Sequence, residues 1–143
     1  MLHRLCLILC LFTTGACATA GAKSGGGEAA APTVSEAERK ATTEKSLRDN
    51  PNSVAIYARG LCCPSCAIGV RVKASTLDWI DQARFNRGID MNAKTMVVLA
   101  AVAEGKTADR EQLADAIRRA GYDAVTYYWM EDGAMQSASL EGK

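Results

Sequence analysis

The chain has 143 residues, with 17 Lys and Arg against 16 Asp and Glu, six cysteines and a single histidine. Charge this close to balance excludes the basic footprint of a nucleic-acid binder and the like-charge excess of a charged disordered chain. The length allows one domain with appendages.

The first 17 residues, "MLHRLCLILCLFTTGAC", place His3 and Arg4 ahead of an apolar run over residues 5–12. That run falls short of the roughly 20 residues a bilayer span needs, and it has the proportions of a secretory signal. The ending "TGAC" resembles the lipobox of bacterial lipoproteins, which implies lipidation at Cys17 and a membrane anchor; Thr14 departs from the aliphatic residue usual there. Ordinary cleavage after Ala20 is the alternative, giving a soluble periplasmic protein. Either route exports the chain. The expected location is the bacterial cell envelope, as a periplasm-facing lipoprotein of the outer membrane. Cys6, Cys10 and His3 leave with the signal, so a mature chain has no imidazole for Ser-His-Asp or Cys-His catalysis.

Residues 18–52 read as a flexible linker. The stretch "ATAGAKSGGGEAAAP" has too little apolar surface to order itself. "SEAERKATTEKSLRDN" has helix-forming composition without an apolar face, so a charged linker is expected, with a solvated helix as the alternative. "NPN" at 50–52 then signals the turn that opens the folded part.

In "SVAIYAR", Val54, Ile56 and Ala58 alternate with Ala55, Tyr57 and Arg59, the pattern of a half-buried strand. After the cysteine-bearing stretch "GLCCPSC" (60–66), Ala67, Val70, Ala74 and Leu77 form a helical stripe. Gly69 within it marks a close backbone approach. "WIDQARF" suggests a bulged or irregular strand, "IDM" resumes it, and "NAKT" turns the chain. "MVVLAAV" has the β-branched apolar run of a well-buried strand. In "GKTADREQLADAIRRAGYD", Asp109 and Gln112 have capping-box spacing, Leu113, Ala116, Ile117 and Ala120 make the apolar face, and Gly121 stops the helix. "AVTYYWM" closes with a fourth strand, and the tail at 131–143 is expected to fray. The order β-α-β-β-α-β predicts an α+β fold, a ferredoxin-like sandwich in which two helices cover one face of a four-stranded antiparallel sheet.

Over residues 53–130, strand, "GLCCPSC", helix, hairpin, helix, "AGYDA" and strand together resemble the heavy-metal-associated domain, a family similar to copper chaperones and the periplasmic mercuric-ion-binding protein. Its pattern is Gly-Met-x-Cys-x-x-Cys after the first strand and Ala-Gly-Tyr or Ala-Gly-Phe after the second helix. Here Gly60 to Cys66 and Ala120, Gly121 and Tyr122 fall on those positions. The resemblance implies Cys63 and Cys66 as metal ligands, Leu61 in place of the methionine that packs under the loop, and Tyr122 beside it. Cys62 stands where the family carries Thr, Ser or His; it is either a spectator thiol or a third ligand.

A pair of thiolates without imidazole or carboxylate selects soft ions, Cu(I) first, with Hg(II), Ag(I) and Zn(II) as alternatives. Three surviving thiols are one short of a four-ligand structural zinc site. The implied function is uptake of a soft heavy-metal ion and its transfer by ligand exchange, without enzymatic activity. The partner would be a metal donor or acceptor such as a metal-transporting ATPase or membrane transporter, with no nucleic acid and a monomeric carrier. The competing reading is a thiol-disulfide redox protein using Cys63 and Cys66, since "CPSC" also resembles a glutaredoxin-type dithiol. No proline follows Pro64 to supply the cis-proline loop of a thioredoxin fold.

Overall fold

A computed structural model describes residues 34–141 of the chain. The expected signal, lipobox-like end and Cys17, and the first half of the linker, lie outside the described residues. The elements run α1 (Glu36–Asp49), β1 (Ser53–Arg59), α2 (Cys66–Ala74), β2 (Ile89–Asn92), β3 (Val97–Ala101), α3 (Arg110–Arg119), β4 (Asp123–Glu131) and β5 (Ala134–Ser139). The fold is α+β. Its five strands form one antiparallel sheet in the order β2-β3-β1-β4-β5.

Strand alternation sorts the sheet into two faces. Ile56, Ala58, Val98 and Ala100 join Val70 and Ala74 of α2 and Leu113, Ala116 and Ile117 of α3 in the main core. Residues on the other face, Ala55, Val97, Leu99 and Tyr128, pack with Leu47 of α1. β1 is therefore buried on both faces, beyond the half-burial its alternation predicts, because a third helix covers the second face.

That helix corrects the linker expectation for Glu36–Asp49. Ser35 caps it by accepting from the Glu38 amide, and three i,i+4 ion pairs (Lys40–Glu36, Lys45–Asp49 and Arg48–Glu44) lie along it. Only Thr43 and Leu47 are buried. Polar contacts complete the docking: the Arg39 guanidinium stacks 3.7 Å over the Tyr57 ring, its Nε donates to the Thr95 carbonyl, and Lys94 pairs with Glu38.

Two further expectations are corrected. The tail after residue 130 pairs as β5, joined to β4 by a tight turn at Asp132 (φ +50°) and Gly133 (φ +78°); the sheet thus has five strands, not four. The stretch "WIDQARF" is not a strand. Ile80 makes one isolated bridge to Val102, and the chain then coils through Phe85, Arg87 and Gly88, all at positive φ. A Cβ at Gly88 would stand 2.1 Å from Ile80 Cγ2, so the coil closes only around glycine.

Candidate metal site

β1 delivers the chain to the site and α2 carries it away. Gly60 turns at φ +93°, and Leu61 drops into the main core with no exposure, pinning the loop from beneath. Cys62 is exposed, while Cys63 and Cys66 are half-buried. The Cys66 amide donates to the Cys63 carbonyl at 3.0 Å, Ala67 to Pro64 at 3.2 Å and Ile68 to Ser65 at 3.1 Å. These i→i+3 bonds wind a tight first turn that sets Cys63 and Cys66 on one side. Pro64, with no N–H to satisfy, suits this position. Ser65 makes no side-chain cap, so the first-turn amides rely on these backbone carbonyls.

The three sulfurs lie within 4.8 Å of one another, the only such group of three or more His, Cys, Asp or Glu ligands among the described residues. They can hold a metal ion. All three are free thiols.

Tyr122 arrives from the far end of α3. Gly121, at φ +93°, lets its amide bond the Arg118 carbonyl and the Tyr122 amide bond the Ile117 carbonyl, the paired bonds of a Schellman stop. The ring then lies over Gly60, where a Cβ would stand 3.5 Å from Tyr122 Cδ1. Its hydroxyl donates to the Cys66 sulfur, and Tyr122 is itself pushed up to about 12, chiefly because ionising would forfeit that bond.

Burial pushes the Cys66 thiol up, but hydrogen bonds from the Cys63 thiol, the Tyr122 hydroxyl and the backbone of Cys63 and Cys62 outweigh it and bring Cys66 down to about 7. Cys63 moves up, first because it donates to Cys66. Above about 7 the pair therefore holds one proton between two sulfurs, with the charge on Cys66 at the positive end of α2.

Cys62, Cys63, Cys66, Leu61 and Tyr122 thus all come together. The resemblance sets Tyr122 beside the loop but gives its hydroxyl no partner; the fold pairs it with Cys66. Ile68 and Val72, one turn apart on α2, are exposed apolar residues on the helix that Cys66 begins. A cavity of about 810 Å³ lies by the other end of β1, among Leu47, Pro51, Val102, Lys106 and Trp129, and includes none of the cysteines. No helix among the described residues is long and apolar enough to cross a membrane.

The chain matches no protein family, no curated protein and no solved structure.

Proposed function

We propose that the chain is an exported carrier of a soft heavy-metal ion, held by the Cys63 and Cys66 thiolates and passed to a partner by ligand exchange. The observation that carries this is the convergence of the cysteine sulfurs at the start of α2, with no nitrogen or oxygen ligand among them. Cu(I) is the first candidate, with Hg(II), Ag(I) and Zn(II) behind it. The half-exposed sulfurs leave room for an incoming thiolate to bind the ion before an outgoing one leaves, so no free ion is released. The four strands β2-β3-β1-β4, with α2 and α3 on one face, support a ferredoxin-like unit of the heavy-metal-associated kind. The basic head and apolar run before Cys17 support export and a lipid anchor in the envelope. A metal-transporting ATPase or membrane transporter is the partner that suits such a carrier, and catalysis has no part in it.

Titrating the reduced protein with Cu(I) against a competing chelator tests the reading. One ion per chain is expected, and Cys63→Ser or Cys66→Ser should weaken binding by at least about 100-fold, more than outer-shell changes cost. Undiminished binding in the double variant would overturn it. The asymmetry between a lowered Cys66 and a raised Cys63 also suits thiol-disulfide exchange. That second reading requires turnover of a disulfide substrate by metal-free protein.

A further inference from the structure

We infer that Cys62 is a third metal-bearing sulfur, and that the site takes thiophilic ions forming three bonds to sulfur in a pyramid, with trivalent arsenic as the type. The inference rests on the metal-binding reading of the site and names its cargo class.

Neighbouring side chains on extended backbone point to opposite sides. Cys62 and Cys63 do not diverge, because the chain bends at Cys63 and brings the exposed Cys62 sulfur back over the pair. With bonds of about 2.3 Å, three sulfurs around one ion stand roughly 3.5–4 Å apart. All three separations are already within 4.8 Å, so closing the site needs side-chain movements of about 1 Å or less.

An ion content with two sulfurs gains nothing from Cys62, since Cys63 and Cys66 suffice. An ion that demands four finds no fourth His, Cys, Asp or Glu in the cluster among the described residues. Three sulfurs and an open side match an ion that carries a lone pair opposite its three bonds. Cys62 is exposed and the other two half-buried, so the open side faces solvent.

Loading balances without an oxidant or reductant. Arsenous acid, As(OH)₃, exchanges three As–O bonds for three As–S bonds. Each hydroxide leaves as water with one proton, taken from a thiol or, where Cys66 is already ionised, from solvent, and arsenic stays trivalent.

The test uses the full reduced chain, freed of thiol reductant, with arsenite as the probe and Cu(I) as the reference. Wild type should bind one arsenic, and X-ray absorption should find three sulfur neighbours and no oxygen. Cys62→Ser should lose arsenite affinity by about 100-fold or more while its circular dichroism spectrum and urea unfolding midpoint stay those of wild type, showing that the loop still folds. Arsenite bound equally by Cys62→Ser, bound through two sulfurs, or refused by wild type that still takes Cu(I) would overturn the inference and leave the carrier reading standing. Loss of that reading would show separately, as Cu(I) binding that survives in the Cys63→Ser, Cys66→Ser double variant.

Discussion

Cys66 gains its acidity from groups that reach it through the backbone of its own loop and from one that comes across the fold. Tyr122 is the distant donor, and its neutral hydroxyl persists across the physiological range because it is pushed up to about 12. Cys66 ionises near 7 in the folded chain against an ordinary 9.0. The folded state therefore binds fewer protons than the unfolded one between those values. The resulting stabilisation is complete above about 9, declines as pH falls and is gone below about 7. Tyr122→Phe keeps the ring over Gly60 but removes the donor, so the ionisation midpoint of Cys66 should rise from about 7 toward 9. Iodoacetamide labelling followed residue by residue across pH reads that midpoint; one that stays in place would show that the hydroxyl does not serve the thiolate. At this scale the site was largely legible. Gly60, Leu61, Cys63, Cys66 and Tyr122 sit in two short local patterns, and local patterns keep their spacing in any fold. The convergence of Cys62 was legible only as one of two alternatives, because it depends on the bend at Cys63.

Among the elements, α1 shows how little apolar surface an outer helix needs. Its sequence has no continuous stripe, yet Leu47 fills a gap between Ala55, Leu99 and Tyr128 that the sheet has already built. Leu47→Ala should cost about 2–4 kcal/mol, with urea unfolding as the measurement. Cu(I) affinity should hardly change, because the outer face is separated from the cysteine loop by the sheet. A stability loss well under 1 kcal/mol would mean that α1 is not docked in solution. β1, β3 and α3 were readable because alternation, a β-branched run, and a cap followed by an apolar face are each strong local signals. Asp109 caps α3 as its spacing predicts, accepting from the Glu111 and Gln112 amides. β5 was missed although "EDGA" carries a hairpin-turn dipeptide, because the strand after it is mostly exposed and lacks a clear apolar face. "WIDQARF" misled in the opposite sense: Trp79 and Ile80 are buried, but from a coil rather than a strand.

For the molecule as a whole, the cysteine loop is tied to the core through Leu61 and to α3 through Tyr122, so ion binding should stabilise the entire fold. At free Cu(I) about 100-fold above Kd, the gain is about 2.7 kcal/mol. A rise of several degrees in Tm is expected for wild type and none for Cys63→Ser, Cys66→Ser, measured by calorimetry on the reduced protein. An equal rise in both would place the ion elsewhere. By itself, the sequence determined the α+β order, the central strands, the α3 cap and the loop that carries the thiols, since each is written in residues a few positions apart. Only the tertiary structure decided that α1 covers the second face, that a fifth strand extends the edge, and that three sulfurs and a tyrosine from the turn after α3 meet at one point. Those outcomes depend on which surfaces remain uncovered once the sheet has formed, and no local spacing encodes that remainder.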